Sequence, residues 1–178
     1  MIRKLIGFLL LNICVTLASA QGAKPATAKP TLPDIYLITI DTLRADHVRC
    51  YGATNVETPA LDALAQDGVR FSQAFTPSPI TNTSHTTILT GLLPSVHGVT
   101  DFGIPLASSH TTSAEFLKQK KYKTAAFIGA VILDAKTLAP GLDRGFDFFD
   151  YFPATPPSKS RWGRVERRGG EVIEHAEK

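Results

Sequence analysis

The stretch Asp34-Ile35-Tyr36-Leu37-Ile38-Thr39-Ile40-Asp41 decides how this chain reads. It is a short apolar run, rich in β-branched and aromatic residues, entered from Pro33 and ended abruptly by a carboxylate. Such a run predicts a strand buried in a parallel sheet. In open α/β sheets, ligands sit just beyond the carboxyl ends of the strands. Asp41 therefore stands where a carboxylate would hold a cation, the alternative being that it caps the following turn. The loop beyond carries Arg44 and Asp46, whose opposite charges suggest a local pair.

Upstream of the run, Arg3 and Lys4 precede an apolar stretch from Leu5 to Leu17 and then Ala18-Ser19-Ala20. A basic start, an apolar segment too short for a comfortable membrane span and a small-x-small site predict a signal peptide over 1–20. An uncleaved anchor or a buried helix is the competing reading. The expectation is export to the periplasm or the extracellular space, with no stable membrane insertion once the signal is cut. Ile13 before Cys14 fits a lipoprotein site poorly. Removal of the signal leaves Cys50 as the only cysteine, so the fold has to rest on its core rather than on an internal disulfide. Residues 21–33, rich in Pro, Ala and Lys and without apolar periodicity, predict a flexible linker. A composition of 43% hydrophobic and 20% charged residues is that of a soluble globular protein. Without Arg3 and Lys4, 17 basic against 16 acidic residues leave a charge of +1, which gives no electrostatic case for nucleic-acid binding.

Downstream, Thr58-Pro59 predicts a helix start, with Thr58 as N-cap and Pro59 at the first helical position. Leu61, Leu64 and Ala65 supply its apolar stripe and Gly68 its stop. Val69, Phe71 and Phe75 suggest an extended return segment, which would complete the pieces of a βαβ unit. A second anchor runs from Thr76 to Gly91, a hydroxyl-rich loop with two prolines leading into a short helix. Thr81 to Ser84 fall at or near that helix's N-terminus, where free N–H groups and the dipole favour an anion. A hydroxyl there, beside a metal-binding carboxylate, could attack a phosphate or sulfate ester; the plainer reading is capping and loop hydrogen bonds. Leu92 to Val99 reads as a turn. Thr112-Ser113-Ala114-Glu115 is a capping box opening a helix with Phe116 and Leu117 inward and Lys118, Lys120 and Lys121 outward. Tyr122 to Gly129 predicts a second buried strand, and Leu142 to Phe152 an aromatic and acidic loop packed over the sheet edge. Arg161 to Arg168 reads as a solvated basic run, and Val172, Ile173 and Ala176 begin an amphipathic helix in which His175 is solvated. Two firm strands make a thin sheet for a doubly wound domain. The expectation is an N-terminal piece of something larger.

Together, Ile38 to His47, Cys50-Tyr51-Gly52, Thr58 to Ala65, Gly68 to Phe71, Thr81 to Pro94 and His97-Gly98 resemble the sulfatases of the alkaline-phosphatase superfamily. The resemblance covers about residues 33–178 and implies an α/β fold. This would be the N-terminal, incomplete part of a doubly wound mixed or parallel sheet with flanking helices, the domain occupying 34–178. It also implies a divalent metal at Asp41, calcium in typical members, with zinc or manganese as alternatives. The nucleophile motif of the family, Cys-x-Pro-Ser-Arg or its Ser form, corresponds to Thr81-Asn82-Thr83-Ser84-His85. Thr81 cannot become formylglycine, which needs Cys or Ser. Thr42 stands where a second Asp ligand is typical, His85 where an arginine supports the nucleophile, and Ala130 where a lysine grips sulfate.

Threonine is nonetheless the nucleophile in phosphodiesterases and phosphoryl-transferring relatives of the superfamily. The resemblance thus implies a metal-assisted Thr81 nucleophile bound to the metal with Asp41, and His85 either orienting the leaving group or stabilising charge, or serving as a structural hydrogen-bonder. The substrate would be a small-molecule or glycan ester of sulfate, phosphate or phosphonate. No downstream Asp-Asn or Asp-Gly-His pattern follows residue 151, so the chain by itself is not expected to be a competent enzyme. The alternatives are a sulfatase-fold protein that binds without turnover and an inactive gene fragment.

Overall fold

The computed structural model describes residues 32–153 and 165–178. The stretches expected to be a signal peptide and a linker, up to residue 31, and the part of the basic run before Val165 lie outside the described residues. Contacts divide the chain into residues 1–39 and residues 40–178.

Helix α1 (Pro59–Asp67) begins with Pro59 at its first position, as Thr58-Pro59 predicts. Thr58 stands at the N-cap as expected, its carbonyl accepting the Asp62 N–H at 2.9 Å, but its side chain makes no capping bond. Its hydroxyl accepts the Arg49 N–H at 2.9 Å and donates to Asp62 at 3.2 Å, while Asp62 accepts the Cys50 N–H at 2.8 Å. The threonine thus ties α1 to the helical turn Arg49–Tyr51 instead of closing its own helix.

Helix α2 (Thr81–Thr90) ends at Gly91, whose φ of +70° suits a residue without Cβ. Its inward face is polar: Asn82, Thr83 and Thr86 are buried. Asn82 reaches the Asp101 carbonyl at 2.9 Å, and Thr86 donates to the Asn82 carbonyl at 2.7 Å. Residues 94–97, expected as a turn, form the single helical turn α3 (Pro94–His97). The buried His97 accepts the Val99 N–H on Nδ1 at 3.0 Å, so its proton sits on Nε2, 3.0 Å from the Thr87 hydroxyl. Burial pushes its pKa down, with His110 adding in the same direction, and the ring stays neutral.

Helix α4 (Ser113–Gln119) carries the predicted capping box: Glu115 N–H donates to Thr112 Oγ1 at 3.1 Å and Thr112 N–H to Glu115 Oε2 at 2.8 Å. Ala114, not Phe116, is its buried residue; Phe116 is 53% exposed. Arg144 locks the same carboxylate through Nη2 at 3.0 Å and also donates to the Ala107 carbonyl at 2.9 Å. The loop carrying Arg144 lies so close that a Cβ on Gly145 would fall 2.1 Å from the Glu115 nitrogen. The Arg144 hydrogen bond, then the Thr112 backbone bond, hold the Glu115 pKa below its ordinary value. A depressed acid contributes stability at neutral pH that fades as pH falls below the ordinary value and through the folded one. Glu115→Gln is therefore expected to flatten the acid limb of a stability–pH curve. An unchanged acid limb would show that the pair contributes nothing.

Strands β1 (Ala125–Phe127) and β2 (Phe148–Asp150) pair in parallel, with Ala125 opposite Phe148 and Phe127 opposite Asp150. The expected strand over 122–129 is thus present but short. The expected loop over 142–152 contains its partner: Phe149 packs inward while Phe148 lies outward, with its ring 5.5 Å from that of Phe127. Helix α5 (Gly169–Ala176) packs against β1. Val48, Val99, Leu106, Ile128, Leu142 and Phe149 are the larger apolar residues of the core, and its largest fully buried side chains are all polar.

The structure corrects two further expectations. Residues 34–41 form no strand; the only sheet among the described residues is β1–β2. The apolar side chains of the run are exposed, Tyr36 at 84%. A strand needs a neighbour's N–H and C=O groups as well as a suitable composition, and no strand among the described residues pairs with this run. Val69, Phe71 and Phe75 are likewise exposed and outside any strand, so the predicted βαβ unit is not assembled there. What remains is an α/β arrangement with a small parallel sheet and flanking helices. No helix of the described residues is long and apolar enough to cross a membrane.

Candidate active site

Asp41 and Thr81, 40 residues apart, meet in space. The Thr81 hydroxyl donates to Asp41 Oδ2 at 3.2 Å. The other carboxylate oxygen, Oδ1, accepts the Thr42 N–H at 3.0 Å. Thr42 has a φ of +57°, a left-handed conformation that is uncommon for a β-branched residue and costs about 1–2 kcal/mol. Strain of this kind collects at functional sites. Here it sits at the bend that turns the chain away immediately after Asp41. Arg44 and Asp46 pair in the same loop, as their charges suggest, through a forked contact at 2.9 and 2.5 Å. The Arg44 fork, with the Asp46–His47 contact at 3.0 Å, lowers the Asp46 pKa to about 2. An open groove of about 260 Å³ lined by Leu43, Val48, Tyr51, Phe71 and Ala74 follows in this region.

Thr81 is the first residue of α2, so the amides of the first helical turn surround it. The Thr83 N–H is taken by the Asn82 side chain at 3.0 Å, while those of Thr81 and Asn82 make no bond among the described residues. These groups and the helix dipole favour a negative charge near the Thr81 oxygen. His85, one turn on, places Nδ1 2.8 Å from the Thr81 carbonyl. A carbonyl only accepts, so Nδ1 carries a proton and the ring is fixed over the first turn. Thr81 thus meets Asp41 through its hydroxyl and His85 through its backbone carbonyl. Ala130, by contrast, pairs by its backbone with Glu166.

Thr83, in the place of the family motif's proline, is 1% exposed, and its hydroxyl is the one buried side-chain oxygen without a partner among the described residues. An unmet hydroxyl costs its full desolvation. Thr83→Val keeps the shape and removes the polar atom, and is expected to stabilise the chain by about 1 kcal/mol, read as a higher denaturant midpoint. A loss of similar size would mean that the hydroxyl is bonded.

A cluster that sequence reading missed lies at the carboxyl end of β2. Asp150 Oδ2 accepts from Arg167 Nη1 and contacts His175 Nδ1, both at 2.7 Å. His175, expected to be solvated, therefore ties α5 to the sheet. Only the partner Asp150 makes this visible, and Asp150 reads from sequence as part of a loop.

The family model for Sulfatase matches residues 33–164. Among curated relatives, Arylsulfatase D of Homo sapiens is 30% identical over 165 residues, covering 82% of this chain and 27% of that protein. An N-acetylglucosamine-6-O-sulfatase of Bacteroides thetaiotaomicron is 28% identical, covering 61% of this chain and 20% of its own length. An ulvan-active sulfatase of Formosa agariphila is 35% identical over 54% of this chain and 19% of its own length. The chain spans no more than 27% of the length of these relatives. No solved structure matches it significantly. The family match runs through the loop of Asp41 and the helix of Thr81 alike, and covers most of the chain: this chain belongs to the sulfatase family.

Proposed function

We propose that this chain carries the nucleophile-bearing part of an exported hydrolase that cleaves or transfers a sulfate, phosphate or phosphonate ester, with Thr81 as nucleophile. The observation that carries this reading is the 3.2 Å hydrogen bond from the Thr81 hydroxyl to Asp41. That bond commits the hydroxyl proton to the carboxylate and leaves the oxygen's lone pairs for the ester. In-line attack would form a bond from Thr81 Oγ1 to sulfur or phosphorus, as the bond to the leaving oxygen breaks. The Thr81 proton passes to Asp41, and the leaving oxygen takes a proton from solvent. Water or an acceptor alcohol then displaces Thr81 and frees the enzyme. The amides at the start of α2 favour the anionic group during both steps, and His85, one turn on, would orient the leaving group or stabilise its charge. A small-molecule or glycan ester fits this chemistry, and the N-acetylglucosamine-6-O-sulfatase and ulvan-active sulfatase among the relatives support the glycan form.

Sulfatases are metal-dependent, and calcium, zinc or manganese would be the choices here. Calcium takes roughly six to eight oxygens. Asp41 and Thr81 supply a carboxylate and a hydroxyl, and among the described residues no three His, Cys, Asp or Glu side chains gather. The described residues do not make up a metal site. Hydrolysis of an aryl sulfate or aryl phosphate by the full-length protein carrying this chain tests the reading, with the Thr81 and Asp41 variants as controls.

A further inference from the structure

Four lysines crowd into six residues at the end of α4, Lys118-Gln119-Lys120-Lys121-Tyr122-Lys123. Short lysine-rich runs are the footprint of polyanion-binding patches. The plainer explanation is a helix end whose carbonyls favour nearby cations. The backbone goes beyond that explanation. Lys121 N–H donates to the Lys118 carbonyl at 3.0 Å and Tyr122 N–H to the Leu117 carbonyl at 3.1 Å, the paired bonds of a Schellman cap. That cap sets Lys121 at a φ of +71°, at the position glycine usually fills. A lysine is held there against its backbone preference, and such residues gather where the side chain is needed.

The charges of this turn are also largely unopposed. Lys118 pairs with Asp147 at 2.7 Å, and the neighbouring Glu115 is committed to Arg144. Lys120, Lys121 and Lys123 are exposed and have no carboxylate partner among the described residues. The exposed ring of Phe116 lies 5.4 Å beneath the Lys120 ammonium, so a flat apolar face sits among the positive charges. We propose that this lysine turn binds a sulfated polysaccharide, at a surface built from none of the residues around Thr81. Lysine ammoniums act as compact point charges for sulfate groups, while a sugar face lies on Phe116. The polyanion surface rests on the lysines; the choice of a sulfated glycan rests on the hydrolase reading above.

The test measures binding of the full chain to heparin, to unsulfated dextran and to duplex DNA over a range of salt, with the triple variant Lys120→Ala, Lys121→Gly, Lys123→Ala alongside. Heparin is expected to bind in a salt-dependent manner and dextran not at all. The triple variant is expected to bind heparin at least about tenfold more weakly. Lys121→Gly alone should raise the melting temperature by a few degrees while weakening heparin binding, because it relieves the backbone and removes a charge. Undiminished heparin binding by either variant overturns the proposal, as does tighter binding of DNA than of heparin. Turnover is read separately, in the full-length protein carrying this chain. Lysine-dependent heparin binding without Thr81-dependent turnover sinks the hydrolase reading alone. Thr81-dependent turnover with lysine-independent heparin binding sinks this proposal alone.

Discussion

Thr81→Ala in the full-length protein carrying this chain is expected to lower turnover of an aryl ester by at least about a thousandfold, the order found when a nucleophile is removed. Thr81→Ser keeps the hydroxyl and should retain most of the rate. Asp41→Ala removes the acceptor of the Thr81 proton and is expected to cost about a hundredfold or more. Neither alanine variant should lose much stability. Asp41 is exposed, and a hydrogen bond at 3.2 Å in contact with solvent contributes little net free energy. The expected signature is therefore a collapse of rate with an unchanged melting temperature. Retained turnover in Thr81→Ala would remove the nucleophile from the mechanism. A parallel loss of stability would assign the pair a structural role.

Arg167→Ala should do the reverse and damage the fold. The Arg167 side chain is 7% exposed and that of Asp150 14%. Nη1 donates to Asp150 Oδ2 at 2.7 Å and to the Ile128 carbonyl at 3.0 Å, and Nη2 donates to the Tyr151 carbonyl at 2.8 Å. The guanidinium also stacks 4.3 Å from the centre of the Phe152 ring. One side chain thus joins the ends of both strands and the approach to α5. Truncation leaves a largely buried carboxylate with His175 beside it and takes the donors from two carbonyls, a cost of about 3 kcal/mol. That is a large share of the stability of a domain this size. Arg167→Lys should not restore it, because one ammonium cannot span the same fork. Denaturant unfolding of the chain checks this, and a cost below about 1 kcal/mol would show the cluster to be solvated.

Much of the helical framework was legible because its signals are local. Pro59 opens α1, Gly91 closes α2 and the Thr112–Glu115 box opens α4, each within a few residues of the feature it predicts. The strand over 122–129 was legible as a type but not as a length. Residues 34–41 show the limit: apolar, β-branched composition marks a segment suited to a sheet without saying whether a neighbour pairs with it. Strand β2 is only Phe148, Phe149 and Asp150, too short for any period to declare itself, and it passed for loop. Phe116 reads from sequence as inward with Leu117, yet Ala114 faces the core, where the Gly145 loop presses on the start of α4. In the candidate site, Asp41 and Thr81 stood out through motif order, but only the fold brings them within hydrogen-bond distance. His175 had no local signal, since its partner lies 25 residues away.

The most direct measurement is a search for the covalent intermediate. The full-length protein carrying this chain is mixed with an aryl sulfate or aryl phosphate, quenched in acid within the first turnovers and digested for mass spectrometry. The prediction is one sulfuryl or phosphoryl group on Thr81, absent from Thr81→Ala and reduced in Asp41→Ala. Turnover with no modification of Thr81, or with the group on another residue, would contradict a threonine nucleophile held by Asp41.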